Sequence, residues 1–402
     1  MFSSLFHDGP EYEHRRKTPF VPPKVTLSDV HAAVPQDLRE KNTVKGLSYV
    51  VRDVLLAVLV YKLAWFIASP ELHVALRCMA WVFYWFSQGI LLTSLWCLAH
   101  EASHGNISPQ NWVNDGVGFI LHTFLLVPYF AWKSSHRAHH KATVSVERDV
   151  NYMPRTRSSF GLPPPHVARS RDYHEIFEET PIYTFYRMFL MQVFGLFFFL
   201  VFNRRGSPQH PPGTNHFNPM SALFKPRERS RIIASDIGLV VMLVLLCIWI
   251  TKVGFDVFIK MYLIPWMMTN HWIVMLTYLH HSDPTIPYYR RNEWTFLRGA
   301  IATVDRPLLG CIGQVFFHHV SHNHVSHHIF SDIPFYNQPL ATKLIKEVLK
   351  DDYNYDSTNT FRALYRTFTE CEFIEDKGDI VFYKNKEGKA ARVLASAGDT
   401  TH

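Results

Sequence analysis

Apolar residues along this chain gather in long uncharged blocks rather than at helical or strand period. Cys78 to His100 runs 23 residues without a charged side chain, and Met261 to Ser282 runs 22. A bilayer core takes about 20 apolar residues of helix, so these blocks are long enough to span. The pattern predicts spanning helices at about 51–69, 75–97, 232–251 and 257–279. The first is the weakest, because it opens on Arg52 and Asp53 and contains Lys62. Two further apolar stretches, 116–132 and 183–202, are ambiguous. Residues 1–47 form a polar, proline-rich segment ahead of a membrane domain over 48–402. A short helix is predicted after Thr26, with Ser28 or Asp29 near its N-cap. The chain turns soluble in character over the tail 283–402, where EDKGDIVFYKNKEG predicts a short strand pair with a turn.

Charge orients these blocks. Residues 1–50 carry seven Lys or Arg, and the connector SPELH (69–73) carries none. By the positive-inside bias the N-terminus is cytosolic and the first two spans form a hairpin. A second hairpin over 232–279 follows the basic stretch 203–231. The expected fold is an all-α integral membrane protein with four transmembrane helices in two hairpins, interfacial helices and a cytosolic helical cap, both termini cytosolic. The N-terminus has no compact apolar signal core, so insertion would rest on the first span. Five cysteines without a CxxC pair disfavour a disulfide frame or a zinc ribbon. The net charge of +7 is scattered outside the apolar blocks, as expected of juxtamembrane Lys and Arg rather than of a nucleic-acid binder.

The candidate chemistry lies in histidine. Of 24 histidines, 13 fall in four groups: His100 and His104 in HEASH; His136, His139 and His140 in HRAHH; the pair His280-His281; and His324, His327 and His328 in HVSHH, shortly after His318, His319 and His322. Positions i, i+3 and i+4 share one helical face, so the histidines of each HxxHH should point roughly one way. Neutral imidazoles converging at such spacing are metal ligands by their chemistry. Only 31 residues (105–135) separate the first two groups. Crossing and returning would take about 40 residues of helix, and crossing once would part the groups by roughly 30 Å. Residues 116–132 are therefore expected to dip into the interface, helped by Pro128. By the same parity 183–202, with Arg187 and Gln192, should not span. Eight histidines exceed the four ligands of a zinc site, so two metals are the natural count. An all-nitrogen set suits iron better than magnesium or calcium.

With these boxes the sequence resembles the membrane fatty acyl desaturases, and within them the fungal and plant Δ12 (oleate, ω-6) desaturase branch. The likeness runs through KVTLSDVHAAVP, GLSYVVRDVLL, AHEASHGNIS, SSHRAHHKAT, VERDV, LTYLHHSDPTIPYY, EWTFLRGAIATVDR and HVSHHIFSDIPFYNQPLAT. It implies a non-haem di-iron site, dioxygen as co-substrate, and electrons from cytochrome b5 and its NADH-dependent reductase. The implied ligands, through which catalysis would run, are His100, His104, His136, His139, His140, His324, His327 and His328. His281 is the match for a ninth, ahead of His280. His318, His319 and His322 would support the site or the fold. The implied reaction removes two hydrogens from an oleoyl chain, carried on a membrane lipid or coenzyme A, to give a linoleoyl chain. The resemblance also implies residence in the endoplasmic reticulum membrane, for which the end GDTTH carries no retrieval signal of its own. A homodimer is left open.

Ala102-Ser103 departs from the commoner HECGH of this branch. That keeps a Δ12 hydroxylase, conjugase or acetylenase, or an ω-3 desaturase, as alternatives. HEASH is also literally HExxH, the mark of a zinc metallopeptidase with Glu101 as base, but that leaves both HxxHH groups unexplained. A metal or haem transporter would place its polar ligands within the spans. Asn106-Ile107-Ser108 is a formal glycosylation sequon, and His210-Pro211-Pro212-Gly213 looks like a haem-binding loop on a stretch too short to hold that domain.

Overall fold

The computed structural model describes residues 7–68 and 71–396. The first six residues, the start of the SPELH connector at Ser69-Pro70, and the GDTTH end lie outside the described residues. The N-terminal segment supplies α1 (Pro10–Lys17) and α2 (Leu27–Ala33). The N-cap of α2 is Thr26, two or three residues earlier than expected. Its hydroxyl accepts from the Asp29 N–H at 3.2 Å while Asp29 accepts from the Thr26 N–H at 2.9 Å, a reciprocal capping box.

Two long helices follow, α3 (Thr43–Ala64) and α4 (Val74–His104). Thr43 Oγ1 lies 2.8 Å from Ser108 Oγ, so the pair starts and finishes at one level. The first histidine box is the last turn and a half of α4 itself rather than a segment after it. Gly105 ends the helix with φ +82°, its N–H bonded to Ala102 O at 3.0 Å, with Asn106 N–H reaching Glu101 O at 3.0 Å. Left-handed backbone of this kind favours glycine and satisfies the last carbonyls.

The stretch 116–132 does not continue as one rod. Helices α5 (Asn111–Phe124) and α6 (Tyr129–His140) meet at 109° across a short break that ends at Pro128. Gly118 makes that bend compact, since a Cβ there would sit 2.2 Å from the Tyr129 ring. Next come β1 (Arg155–Thr156), α7 (Ser170–Phe177), α8 (Pro181–Phe202), α9 (Arg229–Val253) and the one-turn α10 (Phe255–Phe258). The expected fourth span is not continuous. A π turn over Ile259–Leu263 separates α10 from α11 (Ile264–His281). Tyr84 donates to Met261 O at 2.9 Å there, joining the far ends of the two helix pairs.

Among the described residues, three helices are long and apolar enough to cross a membrane: Val74–His104, Pro181–Phe202 and Pro226–Val253. The bent pair α5 and α6 would add one if it were a single span. Helix α3 is not among the three. Even so, α3 and α9 both present exposed apolar bands, Val51, Leu55, Val58 and Leu59 on one and Ile237, Val241, Val244 and Ile248 on the other. Length and apolarity alone therefore favour a crossing for α8, against expectation, but both of its ends are tied to the layer that carries the histidines. Glu179, just before it, pairs with Lys386 at 2.5 Å. Beyond its other end Arg205 O accepts from Met153 N–H at 2.9 Å, and the His216 ring, 3.1 Å from Ser135 of α6, follows a backbone bond from His216 to Leu200.

The remaining chain forms a cap of β2 (Tyr288–Tyr289), α12 (Phe296–Ile301), α13 (Cys311–Phe316), α14 (His324–Ile329), α15 (Gln338–Leu349), α16 (Thr360–Glu370), β3 (Phe373–Ile374) and β4 (Ile380–Val381). The tail strands exist, but their partners are distant. β3 runs parallel to β1 and β4 antiparallel to β2; the local hairpin is reduced to bridges at Phe373–Lys384 and Lys384–Ala390. Between α4 and α11 lies the main core, with Trp96, Leu98, Trp272 and Leu276 buried, and a second core joins α2, α12, α14 and α15.

A buried ion network clamps the N-terminal segment and α16 to the end of α11. Arg306 donates to Asp283 at 2.5 Å and to Asp356 at 3.2 Å, while Arg366 donates to Asp356 at 2.6 Å and to Asp8 at 2.7 Å. The Arg366 guanidinium also lies 3.4 Å above the Tyr12 ring of α1. Burial would raise the Asp356 carboxyl, but the two guanidiniums hold it below its usual range. Removing one partner of such a buried network leaves uncompensated charge. Arg366→Ala is therefore expected to cost about 3–5 kcal/mol, read as a lowered thermal midpoint of the solubilised chain, and an unchanged midpoint would contradict the clamp.

Candidate metal centre

The four histidine groups meet in one buried volume, but each HxxHH is divided. One set comprises His100, His104, His136, His140 and His327, and another His139, His281 and His328, with one ligand nitrogen from each residue of a set lying within 4.8 Å of the others. Within α6, then, His136 and His140 turn one way and His139 the other. His324 falls outside both sets as defined, yet its Nε2 is 2.9 Å from that of His281, so the second set gains a fourth nitrogen. His140 and His328 stack at 4.0 Å where the sets adjoin. Of the pair ending α11, His281 is in the site, while His280 turns away and its Nδ1 lies 2.5 Å from Val304 O.

The spacing fits metal ions. Nε2 atoms of His104 and His136 are 3.0 Å apart, as are those of His136 and His140, and those of His139 and His281 are 3.4 Å apart. Two nitrogens at about 2.1 Å from one ion sit about 3.0–3.4 Å from each other. Burial pushes the imidazoles of His136, His140, His324 and His328 well below their ordinary range, and that of His327 to about 3, so each is neutral with a free lone pair. Among the described residues, Nε2 of His327 and of His328 are buried without a hydrogen-bond partner, as are Nδ1 of His281 and of His324. Unpaired buried polar atoms are costly, and a cation in each set would answer the Nε2 atoms of His327 and His328.

Surrounding groups aim the rings. Asp149 Oδ1 lies 2.8 Å from His139 Nδ1 and is itself held by the N–H of Asn151 at 3.0 Å, while Oδ2 accepts from Val144 N–H at 2.8 Å. Thr143 Oγ1 is 3.2 Å from His328 Nδ1. Glu101 is buried with Oε1 3.7 Å from His327 Nδ1, and its Oε2 accepts from Asn106 Nδ2 at 2.8 Å. Glu101 thus sits behind a ring rather than free as a peptidase base. Asn106 of the sequon is wholly buried and engaged. Trp132 stacks on His136 at 4.3 Å, and Tyr152 on His281 at 4.9 Å. Beneath the site His318 lies 2.7 Å from Asp53 and 3.0 Å from Ser94, tying the cap to α3 and α4; His319 and His322 stay outside both sets.

Asp149, Thr143 and Tyr152 were not identified from the sequence. Asp149 stands in VERDV shortly after the second box, but only the turn that swings it back onto α6 reveals its partner. A cavity of about 330 Å³ opens onto the site, reaching His100 and His136 of one set and His139, His281 and His324 of the other. Its walls are largely apolar, from Trp96, Met191, Leu196, Phe199 and Val274 among others.

Carboxylates behind metal-bound histidines are typically worth about 10–100-fold in affinity or activity. His139→Ala should lose one of two bound metal ions and all turnover while inserting normally, and Asp149→Asn should weaken retention of that ion. Elemental analysis of the purified chain reads both, and full metal content in His139→Ala would refute the division.

The family described as "Fatty acid desaturase" matches residues 79–359. The Delta(12) fatty acid desaturase of Mortierella isabellina is 38% identical over 367 residues, covering 90% of this chain and 91% of that protein. The Delta(12)-fatty-acid desaturase of Arabidopsis thaliana is 35% identical over 383 residues, covering 94% and 96%. An oleate hydroxylase of Claviceps purpurea is 35% identical over 396 residues, covering 91% and 82%.

Proposed function

The chain belongs to the fatty acid desaturase family, and we propose that it acts as a Δ12 (ω-6) desaturase, converting an oleoyl chain to a linoleoyl chain with dioxygen and with electrons from cytochrome b5 and its reductase. The observation that carries this is one apolar cavity that opens onto both histidine sets, in a chain whose relatives from Mortierella and Arabidopsis bear the Δ12 desaturase name. His100, His104, His136, His140 and His327 would hold one iron, and His139, His281, His324 and His328 the other. When bound, the irons would supply the dioxygen chemistry that removes two hydrogens from an unactivated chain. The protein's own part is to hold an alkyl chain against the site and keep water away. Trp96, Met191, Phe199 and Val274 line the chain's path, and Asp149 fixes the His139 imidazole that faces it. Such positioning decides the outcome, since small displacements of reacting atoms cost large factors in rate.

The Claviceps relative favours one second reading, oleate hydroxylation on the same scaffold. Ala102 and Ser103 behind the first box are both fully buried, so they shape the packing beneath the site rather than its surface. Expression in a yeast that makes oleate but no linoleate separates the two. An 18:2 methyl ester is expected, a hydroxylated 18:1 ester would establish the second reading, and no new product from metal-loaded protein would defeat both.

We further propose four spans in two hairpins, both termini cytosolic, in the endoplasmic reticulum membrane. This is supported by the closure of α3 and α4 at one level, by the Ser134–Glu228 bond of 2.9 Å that starts α9 beside α6, and by the return of α11 to His281. With both ends held to the histidine layer, α8 would lie along the interface. A glycosylation sequon inserted after Glu71 should be modified and one appended at the C-terminus should not; the reverse pattern would invert the topology.

A further inference from the structure

Aromatic rings run unbroken from the first histidine set to a charged cluster between α5, α6 and α9. Trp132 stacks on His136 at 4.3 Å and Trp96 on His100 at 5.8 Å, so two rings of that set are each backed by an indole. The two indoles meet edge to face at 5.3 Å. Behind them His122, wholly buried, lies 5.9 Å from Trp96, 5.0 Å from Trp132 and 5.7 Å from Tyr129. Trp96 and Trp132 stand on the wall of the cavity, whereas His122 and Tyr129 do not. The rings therefore lead away from the space an alkyl chain would fill. Tyr152 differs in this respect: it stacks on His281 at 4.9 Å but lines the cavity itself.

At the far end the Tyr129 phenol has a route by which to lose its proton. Its oxygen is 3.4 Å from Lys133 Nζ and 3.4 Å from Asn114 O. Lys133 also bonds the Asp115 carboxylate, which pairs with exposed Arg231 at 3.5 Å. Asp115 is half-buried, so this cluster reaches solvent while the phenol ring stays buried. The ring is also held closely, since a Cβ on Gly118 would sit 2.2 Å from it.

Indole and phenol are among the side chains that most readily give up one electron. Dioxygen needs four electrons and four protons to become two waters. Under the desaturase reading above, on which this inference rests, two electrons come from the external donor and two, with two protons, from the alkyl chain. With no alkyl chain in place that second pair is missing, and the oxidisable side chains of the wall include Trp96 and Met191. We propose that Trp132, His122 and Tyr129 form a drain that meets this shortfall and spares the site from oxidation when the cavity holds no substrate. Trp132 gives an electron toward the first set, and Tyr129 refills Trp132 across the His122 ring. The phenolic proton passes to Asp115 by way of Lys133, leaving a neutral tyrosyl radical. The external donor then restores Tyr129 with one electron while Asp115 returns the proton. Two such passes, with two further protons from solvent, complete the reduction of dioxygen without breaking a C–H bond.

Rapid-freeze electron paramagnetic resonance on the purified, iron-loaded full chain tests this. The protein is chemically reduced and then mixed with oxygen in the absence of acyl lipid. A tyrosyl signal is expected, absent in Tyr129→Phe and slower to appear in Asp115→Asn. After repeated substrate-free cycles, mass spectrometry should find severalfold more oxidised Trp, Met and His around the cavity in Tyr129→Phe than in the unmodified chain. Given oleoyl lipid, that variant should form product at the unmodified initial rate; loss of the rate would mark Tyr129 as structural and overturn the drain. No signal, a signal that survives Tyr129→Phe, unchanged kinetics in Asp115→Asn, or equal damage would each overturn it too. Oxygen uptake in the same samples keeps the two readings apart. Uptake without a radical refutes the drain alone, whereas no uptake by iron-loaded protein refutes the desaturase reading and the drain with it. A radical in a chain that yields no 18:2 leaves the drain standing and refutes the assigned product.

Discussion

Nine imidazoles packed into one volume, eight of them buried, impose the constraint on which the remaining structure depends. Each brings a lone pair into a space where the nearest polar atoms are other lone pairs. Such nitrogens cost free energy to bury unpaired, and burial holds those of His136, His140, His324, His327 and His328 below their ordinary range. A neutral imidazole has one N–H and one lone pair, so hydrogen bonds among the rings leave lone pairs over that bound cations would take. A protein assembled this way must be held in shape by contacts outside the site, strong enough to bring the rings together before the ions add their share.

Those contacts form two tiers. Close in, Asp149, Thr143, Glu101 and the Trp132 and Tyr152 rings fix ring orientation. Farther out, the Asp283–Arg306–Asp356–Arg366–Asp8 network binds the end of α11 to the N-terminal segment and to α16. The position of Asp283, two residues beyond His281, links the tiers, so a residue as remote as Tyr12 bears on where a ligand nitrogen points. Residues 8–15 are thus part of the cap beside the site.

Much of this was legible in the sequence. Uncharged runs marked the long helices, and the spacing of the boxes, with the parity of the apolar stretches, required the histidines to share one face. The division within HxxHH was not legible, for a geometric reason. A helix advances about 100° per residue, so positions i+3 and i+4 flank position i on opposite sides. Read as one face, the three point together; read finely, His139 is free to serve a neighbour of the set that His136 and His140 serve. Asp149 was hidden because a loop's return path leaves no periodic mark. Hydropathy leaves α8 ambiguous, since a long apolar helix lying along an interface and one crossing a membrane have similar composition. The contacts at its two ends are what the proposed interfacial placement rests on.

The split helix turns carry a mechanical consequence. Helix α6 gives His136 and His140 to one set and His139 to the other, while α14 gives His327 to the first and its flanking histidines to the second. Two short struts therefore cross-brace the same gap from opposite sides. Backbone hydrogen bonds make each strut stiff, so the gap between the two centres behaves as a fixed gauge, set by helix pitch and not by loops. Loops elsewhere can lengthen, and the cavity walls can change to admit other chains, without resetting that gauge.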